Sequence, residues 1–178
     1  MVPPQHDYFS WNVLPVTALV SQATNGGFSM NIKSSNGIFG DDAERALQTL
    51  MTRLKDVKNG FEKLVSEAQE DLEPIAREFK ALHDKHIDKL RGKLEEHGYD
   101  VSEDGSFMSQ VNEAVIAARS YFGTVDENVM ASVRNGEQHV INAFDDAINK
   151  VENSKLCDEL GAMRSELRDC VERTRHIG

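Results

Sequence analysis

Apolar side chains recur every three or four positions through most of the chain after residue 40, which is the spacing of one face of an α-helix. The first run begins where Asp41 is followed three residues later by Glu44, a capping-box pattern typical of a helix start. The pattern predicts a helix from Asp41 to about Gln69, with its apolar stripe at Ala43, Leu47, Leu50, Leu54, Val57, Phe61, Leu64 and Ala68.

A second helical run follows almost at once. Asp71 is its predicted cap, Pro74 is tolerated in the first turn, and Gly98 ends it. A connection of one or two residues between long helices forces an antiparallel hairpin. The stripe of this helix is Leu72, Ile75, Phe79, Leu82, His86, Leu90 and Leu94.

A polar, acidic segment and a shorter predicted helix, from Ser106 to about Phe122, come next and form a crossover. A second capping box, Thr124 with Glu127, then starts another long helix. The stripe of this third long helix is Met130, Val133, Glu137, Val140, Phe144, Ala147 and Val151.

The apolar pattern changes register after Val151. It resumes two residues out of step, which on a helix is about 200° and faces the opposite side. A turn near Asn153-Ser154 explains the change and predicts a second hairpin, and a continuous helix with two apolar faces is the alternative. The last stripe is Leu156, Leu160, Met163, Leu167, Cys170, Thr174 and Ile177.

Residues 1–40 show no helical period and contain three of the four prolines, so we predict an irregular N-terminal tail and one helical domain over 41–177. The apolar stretch in this tail is interrupted by Pro15 and is too short to span a membrane. No Lys or Arg precedes Lys33, so the tail lacks the basic start of a signal peptide.

The charge balance limits the classes of partner. Thirty acidic residues against 20 basic ones give a net charge of −10, which opposes binding to nucleic acid or to anionic membranes. Cys157 and Cys170 are too few for a disulfide framework, and on one helix they would lie about 20 Å apart. We therefore expect two reduced thiols in a cytoplasmic protein.

A short echo links the two hairpins. Val57-Lys58-Asn59-Gly60 on the first helix of one corresponds to Val133-Arg134-Asn135-Gly136 on the first helix of the other. Glycine inside a helix costs about 1 kcal/mol relative to alanine, so two at matching places favour close helix approach and an internal duplication. Chance similarity is the alternative explanation.

Several short motifs carry a resemblance to a known family: Leu90 and Leu94 leading to Gly98, Asp104-Gly105-Ser106 before a small helix, and Arg134-Asn135-Gly136-Glu137 with Phe144 seven residues on. With them, residues 41–177 resemble an uncharacterised bacterial family of small ferritin-like four-helix-bundle proteins. The resemblance implies an all-α fold of two antiparallel hairpins joined by a crossover with a short extra helix. It lends no established activity.

Ferritin-like di-iron enzymes take one glutamate from each of two helices and a Glu-x-x-His pair from each of the other two. This sequence has no Glu-x-x-His, and Phe61 stands at the place that echoes Glu137. We therefore expect no di-iron centre and assign no catalytic residue. His83, His86 and Glu137 remain as candidate ligands of a single metal ion.

The same three residues have a structural interpretation. A buried carboxylate needs a partner, so Glu137 would bond to an inward histidine, with His86 as the expected one. We accordingly predict a non-enzymatic helical bundle without a cofactor, which acts through its surface or by self-association as a homo-oligomer, such as a dimer, or with a protein partner. The alternative is a ferritin-like metal-binding protein with a reduced mononuclear site.

Overall fold

The computed structural model describes residues 38–67, 72–103, 105, 107–108, 111 and 129–175. This part of the chain is helical and contains no strand, which confirms the all-α prediction. Its long helices are α1 (Asp41–Glu67), α2 (Glu73–Glu96), α3 (Val129–Lys150) and α4 (Ser154–Arg173). None of these helices is both long and apolar enough to cross a bilayer.

Some predicted features fall outside the described residues. These are residues 1–37 of the tail, the caps at Asp71 and Thr124, and most of the short crossover helix. Within that predicted helix, Phe107, Met108 and Val111 are described, and all three are helical and buried.

Helix α1 buries the apolar stripe that its sequence predicts. Its buried stripe residues are Ala43, Leu47, Leu50, Leu54, Val57, Phe61 and Leu64. Full burial of a leucine or phenylalanine contributes about 1.5–3 kcal/mol, so this face supplies much of the free energy that holds α1 to the bundle.

Helix α2 buries a wider face than its predicted stripe. Leu72, Ile75 and Leu82, which the stripe includes, are only half-buried. The buried set is Ala76, Phe79, His83, His86, Ile87, Leu90 and Leu94. Because α2 packs against α1 on one side and α4 on the other, its inner surface extends beyond one line of side chains, and His83 enters the core.

The helical conformation is interrupted between α3 and α4, where the apolar pattern changes register. Residues 151–153 are not helical, and Asn153 Oδ1 accepts a hydrogen bond of 3.0 Å from the Leu156 N–H, the geometry of a helix N-cap. The predicted turn is confirmed and the continuous helix is wrong. The described stripe positions on both sides of the turn, from Met130 to Thr174, are buried.

Contacts between helices fix their relative directions. Residue numbers rise along one helix as they fall along its partner, so α1 is antiparallel to α2, α3 to α4, and α2 to α4. Helices α2 and α3 consequently run parallel. The contacts are Phe61–Phe79 and Lys58–Asp84 for the first pair, Arg134–Thr174 and Asp145–Arg164 for the second, and Glu78–Arg173, Lys85–Glu166 and Lys89–Glu159 for the third.

Gly98 ends α2 with a left-handed backbone at φ +83°. The Gly98 and Tyr99 N–H groups donate to the carbonyls of Glu95 and Leu94, which closes the last turn. Only glycine adopts this conformation without a steric cost.

Gly98→Ala should therefore lower the free energy of unfolding by about 1 kcal/mol, measured by urea denaturation. Gly92 is the matched control, since it lies inside α2 and a Cβ there would meet nothing within 4 Å. Gly92→Ala should raise the free energy of unfolding by up to about 1 kcal/mol. Equal effects of the two changes would contradict this account of the helix end.

Candidate functional site

A histidine and a glutamate from different helices meet in the core. His83 Nε2 on α2 lies 2.9 Å from Glu137 Oε1 on α3, and the two side chains are 0% and 1% exposed. Glu137 reaches this position because it occupies the apolar stripe of α3 between Val133 and Val140. A carboxylate is tolerated there because it has a hydrogen-bonding partner, as buried charges require.

Two aromatic rings pack against the His83 imidazole. Phe61 of α1 stacks on Phe79 with ring centroids 5.0 Å apart, and His83 stacks on Phe61 at 5.7 Å. Phe61 and Glu137 are the residues that follow the two echoed glycines, so matching positions on α1 and α3 both contact His83. One supplies an apolar face and the other a carboxylate.

A second pair lies one turn further along α2. His86 Nε2 is 3.0 Å from Glu166 Oε2 on α4, and the Lys85 ammonium contacts the same oxygen at 2.9 Å. His86 is fully buried and its ring meets Phe144 edge-on, whereas the Glu166 side chain is 41% exposed. This pair therefore connects the core with the surface.

The environment of the second pair fixes its charge state. Burial lowers the pKa of His86 to about 4, although the hydrogen bond to Glu166 acts in the opposite direction. Lys85, and then His86, hold the pKa of Glu166 below its usual value. At neutral pH, a neutral His86 consequently donates its Nε2–H to an ionised Glu166.

Three polar atoms of this cluster have no hydrogen-bond partner among the described residues: His83 Nδ1, His86 Nδ1 and Glu137 Oε2. All three are buried. The two imidazoles meet edge to face, with centroids 6.5 Å apart and an interplanar angle of 81°. Each unpaired buried polar group costs about 1–3 kcal/mol, so a site with three of them calls for an explanation.

The structure changes the expected partner of Glu137. It brings His83, His86 and Glu137 into one region, but Glu137 bonds to His83, so the expected bond to His86 is wrong. The reason is helical geometry, because residues three apart differ by about 60° around the axis. His83 faces α3, whereas His86 faces α4.

The described residues contain no group of three or more His, Cys, Asp or Glu side chains placed to hold a metal ion. A metal site at His83, His86 and Glu137 stays a prediction.

Sequence reasoning missed Glu166, because this residue does not belong to the predicted apolar stripe of α4. Glu166 lies at the edge of the α4 stripe, three residues after Met163. The spacing of charged residues on the two helices could have indicated that Glu166 faces α2. Lysines recur every four residues on one helix and glutamates are seven apart on the other: Lys85, Lys89 and Lys93 on α2, and Glu159 and Glu166 on α4.

Three glutamates each contact two side chains along the α2–α4 interface. Glu166 contacts Lys85 and His86, Glu159 contacts Lys89 and Lys93, and Glu78 contacts Arg173 and Cys170. Ion pairs and hydrogen bonds of these three carboxylates therefore connect α2 and α4, in addition to apolar packing.

The Cys170 thiol is buried behind Glu78, with Sγ 3.8 Å from Oε1. Burial, followed by the charge of Glu78, raises the pKa of this thiol to about 12. Cys170 and Cys157 are both free. At neutral pH the Cys170 thiol stays protonated, so it is a poor nucleophile.

Comparison with protein families found a match. Residues 42–150, more than half of the chain, match the model of a family described as a domain of unknown function (DUF2383). Comparison with curated proteins and with solved structures found no match. The matched residues cover α1 from its second residue and all of α2 and α3. They therefore include His83, His86 and Glu137, but not Glu166 on α4.

Replacing one partner of the His83–Glu137 pair should lower the free energy of unfolding more than replacing both partners. Glu137→Leu and His83→Leu should each lower the free energy of unfolding by about 3 kcal/mol, because each leaves a buried polar group unpaired. The double variant should lie within about 1 kcal/mol of wild type. Urea denaturation measures all three.

Glu62→Leu is the control for the double-mutant cycle, since Glu62 is exposed and follows Phe61 on α1. It should change the free energy of unfolding by no more than about 0.5 kcal/mol. Additive effects of Glu137→Leu and His83→Leu would show that the two side chains are not coupled.

The stability of the protein should fall as pH drops from about 7 to about 5. The unfolded chain takes up a proton on His86 near pH 6.5, whereas the folded protein does so only near 4, so acid favours unfolding in this range. Protonation of His86 alone should account for about 2 kcal/mol of the loss in the free energy of unfolding. His86→Leu should reduce the dependence of the free energy of unfolding on pH. His139→Leu, at an exposed site, should not. Equal slopes in wild type and His86→Leu would contradict the prediction.

Proposed function

The chain belongs to the family described as a domain of unknown function (DUF2383), and this description names no activity, so we propose a function from the structure of the chain. The protein is a non-enzymatic ferritin-like helical bundle that acts through its surface or by self-association. The observation that carries this proposal is the complete burial of both inward histidines, each of which bonds a glutamate through Nε2.

The directions of the helices support the ferritin-like part. Two antiparallel hairpins pack together with α2 and α3 parallel, so the chain between them has to return along the length of the bundle. Ferritin-like folds differ from simple up-and-down bundles in having one such long crossover.

The state of the inward groups supports a non-enzymatic role. His83 and His86 each commit Nε2 to a glutamate, and neither ring has any exposed surface. A general base has to come within hydrogen-bond reach of a substrate proton, which these buried rings do not. The Cys170 thiol is also buried and protonated, so it is not an activated nucleophile.

The described surface favours a polar mode of association. Ile38 is the only large apolar side chain exposed among the described residues, and ion pairs cover much of the rest. Contacts made by such a surface weaken as salt screens the charges. We propose a homo-oligomer, such as a dimer, or a protein partner, in the cytoplasm, and the net charge of −10 argues against nucleic acid and anionic membranes.

One observation favours a metal-binding protein as the second candidate. Histidines that bind a metal through one ring nitrogen usually donate the other N–H to a carboxylate. His83 and His86 both bond a carboxylate at Nε2 and keep a buried, unpaired Nδ1. In this arrangement Glu137 and Glu166 stand behind the histidines, so the two Nδ1 atoms would be the ligands.

One sample of untagged full-length protein tests both candidates. Light scattering should give a mass that is a multiple of 19.9 kDa and that falls towards this value as salt is added. Metal analysis of the same sample should give clearly less than one ion per chain. A monomer at every protein and salt concentration would remove self-association from the proposal.

Stoichiometric metal would favour the second candidate, provided that it is lost in both His83→Ala and His86→Ala. His139→Ala is the matched control, because this histidine is exposed and lies on α3. Metal that persists in the first two variants and disappears in His139→Ala would be adventitious surface binding.

A further inference from the structure

Two cations from neighbouring helices hold one exposed carboxylate beside the end of α2. Lys55 Nζ on α1 lies 3.6 Å from Glu103 Oε2, and Arg91 Nη2 on α2 lies 3.0 Å from Glu103 Oε1. We propose that Lys55 and Arg91 form a binding site for a phosphate-type oxyanion, which the Glu103 carboxylate occupies until such an ion displaces it. The site shares no residue with the histidine–glutamate pairs of the core.

The Glu103 carboxylate shows that an oxyanion fits between the two cations. Its two oxygens face different partners, one on α1 and one on α2, so the cations are spaced for a group that presents several oxygens. The Glu103 side chain is 64% exposed, whereas those of Lys55 and Arg91 are 19% and 32% exposed. The site is therefore open to solvent beside Glu103, and its two cations are largely withdrawn from water.

Arg91 has a donor that Glu103 does not use. The Arg91 Nε is buried and has no hydrogen-bond partner among the described residues, although it lies on the same edge of the guanidinium group as Nη2. An oxyanion with two oxygens on this edge bonds both groups at once, which is the strong bidentate geometry of arginine with phosphate. Because an unpaired buried donor is unfavourable, a ligand that reaches Nε gains a contact that Glu103 lacks.

A phosphate group has enough oxygens for all the donors of the site. Two of them can accept from Nε and Nη2 of Arg91, and a third can accept from Lys55 Nζ. A carboxylate has only two oxygens to share among these three donors. A phosphate group also carries a charge of about −1.5 to −2 near pH 7, which exceeds that of a carboxylate.

The electrostatics of this region favour an anion of higher charge. Burial lowers the pKa of Lys55, although Glu103 acts in the opposite direction. The charges of Arg91 and Lys58 lower this pKa further, so three cations lie close together between α1 and α2. A dianion in place of the Glu103 carboxylate would interact with these cations more strongly, even though the net charge of the chain is −10.

The Glu103 carboxylate can leave the cations without movement of the backbone. Its loop is held by neighbouring residues, because Val101 and Gly105 are buried and the Gly105 N–H donates to the Ser102 carbonyl at 2.9 Å. Only the side chain therefore has to turn into solvent. An ion pair with so exposed a carboxylate contributes little to stability, so a stronger anion displaces it readily.

The NMR signal of the Arg91 Nε–H group reports on the occupation of this site. Full-length wild-type protein is titrated with inorganic phosphate, and separately with methyl phosphate, at constant ionic strength. We expect a saturable shift of this signal, because an oxyanion at the site accepts a hydrogen bond from Nε. The ligand that saturates at lower concentration shows whether the site prefers the free ion or the phosphate group of a larger molecule.

Glu103→Gln removes the competing carboxylate and should tighten phosphate binding by about fivefold or more. Glu96→Gln is the matched control, since Glu96 is also exposed and pairs with Lys93, whose side chain is 19% exposed like that of Lys55. Both changes alter the net charge equally, but Glu96→Gln should leave the affinity within about twofold of wild type, because Glu96 does not hold either cation of the site.

Lys55→Gln should weaken phosphate binding by about tenfold or more, because it removes a half-buried cation from the site. Lys89→Gln, which removes a cation from the α2–α4 interface, is its control and should have little effect. Equal affinities in wild type, Glu103→Gln and Lys55→Gln would indicate an adventitious ion only and would overturn the proposal. So would an Arg91 Nε–H signal that neither ligand shifts in wild type or in Glu103→Gln.

Discussion

The need to pair Glu137 inside an apolar bundle is the constraint on which the core depends. A carboxylate in this position is tolerated only with a hydrogen-bonding partner, and that partner is His83. His83 can reach it only if α2 turns its histidine face inward, which leaves Leu72, Ile75 and Leu82 half-buried. This polar pair joins α2 to α3 across the core, with the histidine face of α2 turned inward.

Polar contacts continue from the core to the surface along the α2–α4 interface. Glu166 bonds His86 on its inner side and Lys85 on its outer side, and Glu159 and Glu78 bridge the helices at other levels. A bundle held in this way combines an apolar core with a charged edge. Glu166, whose side chain is 41% exposed, thus lies between the fully buried ring of His86 and the surface.

Much of the scaffold could be predicted from the sequence because helical stripes and caps are local signals. The start of α1 at Asp41 and the turn at Asn153 follow from neighbouring residues alone. The candidate site was only partly accessible in this way. His83, His86 and Glu137 are recognisable as polar residues on or beside apolar stripes, but Glu166 lies at a stripe edge, where a glutamate usually faces solvent.

The sequence by itself determined the described helices, the register change that makes the second hairpin, and the presence of polar residues in the core. Only the tertiary structure decided which histidine bonds to which glutamate. The pattern of a helix fixes the side on which a residue lies to within a broad sector, whereas a hydrogen bond depends on a difference of about 60° between His83 and His86. The rotation and pairing of whole helices set that angle, through contacts between residues as far apart as 54 and 80 positions.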